Sequence, residues 1–196
     1  MNEPMNYHMS TAEFRRHGYA LVDWIADYLD TVEQKPVRSE VSPGAIRALI
    51  PEHAPEEPEA FADIMADLDR VVMPGITHWQ SPNWFAYFPT NSSPPSVLGE
   101  LAAAGLGVQG MIWSTSPAAT EIESAVLDWL VELLGLPETW KMTGPGGGVI
   151  QMSASDSTHT ALVVARHTRN VPIDQQVVYA SSQAHSSIEK GARIAG

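Results

Sequence analysis

The stretch of sequence that decides the fold reads Gly146-Gly147-Gly148-Val149-Ile150-Gln151-Met152-Ser153-Ala154-Ser155-Asp156. Three consecutive glycines lead into a short apolar run, and small hydroxyl residues then precede a segment with a helical pattern. Glycine lets the backbone approach a ligand closely, and a helix N-terminus presents free amides to an anion. The stretch therefore predicts a phosphate-binding turn at the start of a helix.

These glycines do not fit the common phosphate-binding motifs. The P-loop pattern needs a lysine after its last glycine, and the dinucleotide pattern needs a glycine at its end, but Val149 stands at both positions. The residues alone leave two interpretations open. Either free amides and the Ser155 hydroxyl hold a phosphate, or Ser155 only caps the helix that follows.

The remainder of the chain after the glycines has a helix, strand, helix pattern. Residues 157–169 are predicted to be helical, residues 176–181 to form a buried strand, and residues 186–195 to form a second helix. This order is typical of an α/β layer with parallel strand pairing. His185 follows the predicted strand, at the edge where open α/β sheets bind ligands, so it is either a ligand contact or a helix cap.

The first 75 residues predict two amphipathic helices. Ser10 and Glu13 have the spacing of a capping box, and the helix they begin is expected to run to about Gln34. The second is predicted to start near Phe61 and to be stopped by Pro74-Gly75. The long apolar stripe of the first helix must be buried against another surface, such as a second subunit.

An aromatic stretch follows the second helix. Residues 78–91 contain five of the chain's 15 aromatic residues, interrupted by prolines and without a lasting helical period. Such a loop is either a plug in the core or the wall of a pocket for a flat ligand. Two further helices are predicted, near residues 96–106 and after the Ser116-Pro117 cap, and the acidic residues on their polar faces, including Glu121 and Glu123, are expected to be solvated.

Composition narrows the function. The 196 residues are 44% hydrophobic, which is enough for a core, and carry a formal net charge of −12, which disfavours a nucleic-acid partner. The chain has no cysteine, in keeping with a reducing cytosol, no apolar run long enough for a bilayer, and no secretory signal pattern at its start. The histidines lack metal-ligand spacing, so no metal is predicted. We expect a cytoplasmic protein that binds neither membranes nor nucleic acid.

Six segments, in order along the chain, together resemble the group II pyridoxal-phosphate-dependent decarboxylases, and in particular the aromatic-L-amino-acid decarboxylases. They lie at residues 13–18, 74–79, 85–89, 116–121, 146–151 and 184–187. The most distinctive read GGGVIQ and AHSS, the last two of the six. The resemblance implies an α/β protein with an N-terminal helical arm and aromatic substrate loop over residues 1–90. Residues 91–196 would then begin the large domain of a fold-type-I pyridoxal-phosphate-dependent transferase-like enzyme.

The same resemblance implies residue roles. Ala154 and Ser155 match the loop that holds the phosphate of pyridoxal 5'-phosphate. His185 matches the catalytic histidine that stacks on the cofactor ring and helps to place the substrate carboxylate. The residues matching the family's substrate-binding positions are Trp79, Tyr87, Phe88, Pro89, Thr90, Gln109 and Met111. The last two match a segment that reaches the neighbouring subunit's pocket. Separately, Ser10 to Gln34 matches an N-terminal helical arm that wraps the partner in a homodimer.

One departure from the family pattern is large. The family holds its cofactor with a lysine and an aspartate that lie beyond residue 196, and Lys35, Lys141 and Lys190 do not occupy the family's lysine motif. We therefore expect a complementary C-terminal chain to supply the Schiff-base lysine. The implied reaction converts an aromatic L-amino acid into its amine and CO2. The alternatives are an aromatic aldehyde synthase of the same family and a non-catalytic dimerisation or regulatory fragment.

Overall fold

The structure is a computed structural model that describes residues 9–88, 92–169 and 171–196. Contacts between residues divide the chain into two compact units, Met1–Leu101 and Ala102–Gly196. The described residues form helices joined by loops and turns, without a β-strand. The resemblance implies a different boundary, at residue 90, between the arm with its aromatic loop and the large domain, and that boundary stays a prediction.

Helix α1 spans Thr11–Thr31 and begins as its sequence predicts. The Ser10 hydroxyl accepts from the Glu13 amide at 3.2 Å, while the Glu13 carboxylate accepts from the Ser10 amide at 2.8 Å. Hydrogen bonds that the Ser10 amide and then the Ser10 hydroxyl donate to the Glu13 carboxylate lower the pKa of Glu13. A 3-10 turn at Val32–Gln34 extends the helical path to the predicted end, and Val32 is buried there. The N-terminal part of the apolar stripe is uncovered, since Phe14 is 59% exposed.

The second predicted helix is built from three pieces. Helix α2 spans Phe61–Asp67, a π-helical turn covers Leu68–Val72, and α3 covers Met73–Gly75. The helical run thus ends at Gly75, as the Pro-Gly pair predicts. The π turn was not predicted, and its wider backbone lies directly before the proline.

A hydrogen bond and a ring contact join the helices of the first unit. The Trp24 indole donates to Asp69 at 3.0 Å, and the His17 ring lies 4.4 Å from the Phe61 ring. A further 3-10 turn, Arg47–Leu49, lies between α1 and α2. Helix α4 spans Pro94–Leu106 and contains the boundary between the units.

The second unit holds three long helical elements. Helix α5 spans Pro117–Leu133, is capped by the Ser116 hydroxyl, and is followed by Gly135 with a φ of 63°. Helix α6 spans Ala154–Thr168 and α7 spans Ser187–Ala195. Helices α6 and α7 pack closely at Gly191, where an added methyl carbon would lie 3.5 Å from the Cα of His159. Two 3-10 turns, Glu138–Trp140 and Ile173–Gln175, complete the unit.

Two predictions about this unit are wrong. Residues 176–181 are not a strand: the segment starts with extended backbone at Gln176 but has no neighbouring strand among the described residues, so it forms no ladder and leaves Val177 70% exposed. The start of α6 was placed at residue 157, three residues late, because Ser153 rather than Ser155 is its N-cap. Ala154 and Ser155 are therefore the first two residues of the helix.

Two features are absent from the described residues. No helix among them is long and apolar enough to cross a bilayer. No group of three or more histidine, aspartate or glutamate side chains within residues 9–88, 92–169 and 171–196 is arranged to hold a metal ion.

Candidate functional site

The segment from Met142 to Met152, here called the glycine loop, is pinned to α5 by two carboxylates. Glu123 accepts from the Ile150 amide at 2.6 Å, and Asp128 accepts from the Met142 amide at 2.7 Å. Both side chains are half-buried. The expectation that Glu123 belongs to a solvated face is therefore wrong, because the loop folds back over the helix and presents its amides to the carboxylates.

The glycines of this loop serve different purposes. Gly146 donates to the Thr139 carbonyl at 2.9 Å, and an added methyl carbon there would lie only 2.5 Å from that same oxygen. Gly147 has a φ of 133°, which side chains other than glycine rarely adopt. Gly148 lies against α5, since a methyl carbon added to it would be 3.4 Å from Leu127 Cδ2.

The loop delivers the chain to an open helix N-terminus. The Ser153 hydroxyl accepts from the Asp156 amide at 3.1 Å and donates to the Asp156 carboxylate at 2.8 Å. The amides of Ala154 and Ser155 have no protein acceptor in the described part of the chain, and neither does the Ser155 hydroxyl. Two free amides and a hydroxyl at the positive end of a 15-residue helix form an anion-binding cradle.

A cavity of about 190 Å³ adjoins this cradle, between the starts of α6 and α7. Ser155, His159, His185 and Lys190 line it together with Asp156. The structure thus brings the predicted phosphate contact and the predicted catalytic histidine to one cavity. The only carboxylate among these five residues is already bonded to the Ser153 hydroxyl, so the cradle retains its donors for an anion.

The ring of His185 is fixed by the residue that begins α7. Its Nδ1 accepts from the Ser187 amide at 3.2 Å and lies 3.0 Å from the Ser187 hydroxyl, and Ser187 itself is buried. Because a backbone amide can only donate, Nδ1 is the acceptor and the ring proton lies on Nε2. His185 is therefore both a contact in the cavity and part of the helix start, so the two interpretations of its sequence position do not exclude each other.

The lysines differ in their surroundings. Lys141 pairs with Glu132 and Glu138, each at 2.8 Å, and these hydrogen bonds raise its pKa far above the ordinary value. A permanently charged amine is a poor nucleophile. Lys190 lines the cavity and has no carboxylate partner in the described part of the chain, so it adds a positive charge beside the cradle.

The aromatic loop, residues 78–88, lies in the first unit and is built by ring contacts. The Trp79 ring lies 4.5 Å from Trp84 and 5.9 Å from Tyr87, and the Trp84 ring lies 6.3 Å from Tyr87. Beneath the cluster, His78 and Ser81 are each only 5% exposed. The Trp84 Nε1 is buried and has no hydrogen-bond partner within the described residues.

Within this chain the aromatic loop is not a core plug. Phe85 is 92% exposed, Tyr87 82% and Phe88 100%. Tyr87 also has a φ of 58°, a left-handed conformation that a bulky residue adopts at a cost and that is common at ligand sites. The described residues of this chain therefore do not cover these rings, and the pocket-wall interpretation stays a prediction.

Of the other predicted substrate residues, Gln109 and Met111 lie within the described part of the chain. Gln109 is exposed and its carbonyl accepts from the Thr115 hydroxyl at 2.8 Å, while Met111 is 75% exposed. Both lie in the turn between α4 and α5. Pro89 and Thr90 fall outside the described residues. The roles of these four residues stay predictions.

Comparison with known proteins identifies the family. Residues 43–196 match the conserved domain of the pyridoxal-dependent decarboxylases. Because the match covers most of the chain, the chain belongs to this family. The cofactor of the family is pyridoxal 5'-phosphate, and the donors at Ala154, Ser155 and Lys190 suit its phosphate.

Relatives of known activity agree with this assignment. The chain is 46% identical to the aromatic-L-amino-acid decarboxylase of Rattus norvegicus over 203 residues, which cover 96% of this chain and 42% of the rat protein. It is 47% identical to the phenylacetaldehyde synthase of Arabidopsis thaliana, over 96% of this chain and 39% of that protein. The chain thus spans about two fifths of the length of these relatives.

Solved structures show the same fold. The tryptophan decarboxylase of Catharanthus roseus, solved with L-tryptophan, superposes with a TM-score of 0.88 and 41% identity, over 97% of this chain and 42% of that one. The 4-hydroxyphenylacetaldehyde synthase of Rhodiola rosea gives a TM-score of 0.86 and 40% identity, over 96% and 41%. The predicted fold class is confirmed by these neighbours, although the strand predicted at 176–181 is not formed in this chain.

Sequence reasoning missed several residues that build the site. His159 and Lys190 line the cavity, and Glu123 holds the glycine loop. A signal was available for Lys190, which lies one helical turn after Ser186, near His185. Nothing local in the sequence pairs Glu123 with an amide 27 residues later.

Proposed function

We propose that the protein carrying this chain decarboxylates an aromatic L-amino acid to its amine with pyridoxal 5'-phosphate. The observation that carries the proposal is the single cavity at which the free donors of Ser155 and the ring of His185 meet. The cofactor, when bound, supplies the electron sink that accepts the electrons of the bond to the departing CO2. The chain's own residues supply binding, orientation and the surroundings of the reacting bond.

The cradle at the start of α6 holds the phosphate. The Ala154 and Ser155 amides and the Ser155 hydroxyl donate to its oxygens, and the dipole of α6 favours its negative charge. His185 would contact the cofactor from the same cavity, with its Nε2 proton oriented by the hydrogen bond that Nδ1 accepts from the Ser187 amide. That proton is a donor to the substrate carboxylate, so it orients the bond to be broken.

The aromatic loop supplies the recognition of the substrate's ring. Trp79, Trp84 and Tyr87 form a ring cluster in which Tyr87 is 82% exposed, and Phe88, which follows it, is fully exposed. Pro89 and Thr90, next in the sequence, are proposed to bind the substrate as well. Gln109 and Met111 contribute to the pocket of a second subunit. Support comes from the names of the relatives, which act on or form aromatic compounds.

Assembly is part of the proposal. Two copies pair through α1, whose Phe14 and Tyr19 are 59% and 67% exposed in this chain. The lysine that holds the cofactor comes from polypeptide other than these 196 residues, since Lys141 is kept protonated by two carboxylates and Lys190 belongs to α7. We place the protein in the cytoplasm, which cell fractionation would test.

The test uses the protein as its cells make it. Purified protein is given pyridoxal 5'-phosphate and, in turn, L-tryptophan, L-tyrosine, L-phenylalanine and L-dopa, and the released CO2 and the organic product are measured. One amine and one CO2 per substrate, without oxygen consumption, is the expected result. Borohydride reduction followed by peptide mapping should label a lysine other than Lys35, Lys141 and Lys190.

The second candidate is an aldehyde synthase, which the Arabidopsis and Rhodiola relatives favour. It consumes O2 and water and releases ammonia and hydrogen peroxide beside the aldehyde and CO2. Peroxide and aldehyde in the assay would replace the amine assignment with this one. If no product forms with any of the four amino acids and no cofactor binds, the remaining alternative is a non-catalytic dimerisation or regulatory fragment.

A further inference from the structure

Helix α5 presents two carboxylates to the two ends of the glycine loop. Asp128 takes the amide at the loop's start and Glu123 the amide of Ile150 near its end, and Ile150 lies only three residues before the N-cap Ser153. The path between Ile150 and Ser153 is too short to absorb a shift of the loop. The position of the Ile150 amide therefore fixes how the chain enters α6.

The Glu123 bond is short and has a charged acceptor. The Ile150 nitrogen lies 2.6 Å from Oε1 of Glu123, so a backbone amide donates a hydrogen bond to a charged acceptor on a half-buried side chain. Such bonds are stronger than neutral ones and fix geometry well. The neighbouring Glu121 differs in that it is exposed and accepts from the Trp113 indole at 2.8 Å, without contact to the glycine loop.

We propose that Glu123 is a positioning residue for the phosphate cradle. It acts through the Ile150 amide, not by touching the cofactor, and holds the Ala154 and Ser155 amides in the orientation that receives the phosphate. This inference rests on the proposed cofactor site. It assigns to a helix carboxylate a role that its place on the polar face of α5 does not suggest.

The experiment compares E123A, E123Q and Glu121→Ala with the wild type in the protein at its native length. Hydrogen exchange of the apoprotein is measured on peptides covering residues 148–155, and the affinity for pyridoxal 5'-phosphate is measured by absorbance titration. In E123A we expect faster exchange in those peptides and affinity about tenfold weaker, because a charged acceptor is lost. In E123Q, whose amide oxygen still accepts, affinity should return to within about threefold of the wild type.

Three results would overturn the inference. The first is E123A with wild-type affinity. The second is a loss in Glu121→Ala as large as that in E123A, since it would indicate general loosening of α5. The third is faster exchange in E123A throughout α6 and α7, with no excess at residues 148–155. A wild type that bound no cofactor would overturn the cofactor site and this inference with it, whereas the first two results leave the cofactor site standing.

Discussion

The glycine loop and the aromatic loop are held in place by different forces. Backbone amides, two carboxylates and close packing fix the glycine loop, and Gly146 leaves no room for even a methyl group. Ring contacts hold the aromatic loop, whose Phe88 is fully exposed and whose Tyr87 has a left-handed backbone. The backbone contacts that hold the glycine loop lie within the chain, although its Val149, Ile150 and Met152 side chains are exposed. The aromatic loop, by contrast, has exposed rings that a substrate or another polypeptide must cover. Cofactor binding should therefore respond to backbone changes, and substrate binding to ring changes.

The largest expected effect is on turnover and comes from His185→Ala. Without the ring against the cofactor and its Nε2 donor, turnover should fall by about 100-fold or more, because a misplaced reacting group costs that much. Steady-state decarboxylation of the preferred amino acid measures it. His167→Ala, at the far end of α6, is the matched control and should keep wild-type turnover. Equal activity in both variants would contradict the role of His185.

The next largest expected effect is on stability and tests the close packing of the glycine loop. Gly146→Ala places a methyl carbon 2.5 Å from the Thr139 carbonyl oxygen, so the backbone must shift. We expect a loss of about 2 kcal/mol in unfolding free energy, as for other overpacked sites, measured by urea denaturation. Gly105→Ala, at a helical position with open space around it, should be neutral or gain up to about 1 kcal/mol. A tolerated Gly146→Ala would show that the close contact is absent in solution.

A pair of variants tests whether the glycine loop serves cofactor binding and the aromatic loop serves substrate binding. Ser155→Ala removes a hydroxyl donor from the cradle and should weaken cofactor affinity by roughly fivefold to tenfold, with the KM for the amino acid unchanged at saturating cofactor. Trp79→Leu removes a stacking ring and should raise KM by about tenfold for an aromatic substrate, with cofactor affinity unchanged. Absorbance titration and steady-state kinetics give both quantities. The division fails if each variant alters both.

The smallest effect concerns the support of the aromatic loop. Burial, and then the charge of Lys35, lower the pKa of His78, whose Nδ1 lies 3.1 Å from the Tyr28 hydroxyl. The unfolded chain then binds a proton at a higher pH than the folded chain. The stability contribution is full above the ordinary histidine pKa of about 6.5 and is lost as the pH falls from there through the lowered folded pKa. Urea midpoints between pH 8 and 5 should fall less steeply in His78→Gln than in the wild type, whereas His53→Gln, at an exposed position, should keep the wild-type slope.

The parts of the fold that could be predicted from the sequence are mostly helix starts and ends, which depend on residues close together in the chain. The capping box at Ser10, the Ser116-Pro117 helix start and the Pro74-Gly75 end are each decided by neighbours a few residues apart. The strand at 176–181 failed because a β-branched run becomes a strand only when another strand lies beside it. The start of α6 was misplaced because two serines two residues apart can both cap, and their spacing to Asp156 decided for Ser153.

In the candidate site, too, the residues with local sequence signals were predicted and those with long-range contacts were not. Ser155 and His185 were found because both lie beside helix starts and match a family pattern, and they do line one cavity. Glu123 was missed because its bond to Ile150 spans 27 residues, and nothing in a helical pattern distinguishes a carboxylate that meets water from one that meets a returning loop. The roles predicted for Gln109 and Met111 involve a second subunit, so a single chain cannot test them.

The cradle at the start of α6 owes its positive character to backbone amides and to the direction of the helix. Backbone amides cannot be acylated, deprotonated near neutral pH or exchanged for another residue type. Reagents that modify lysine or arginine should therefore leave the hold on a phosphate largely intact, reaching it only through Lys190. The chain, with a formal net charge of −12, can in this way retain a dianion at one point while its surface repels anions in general.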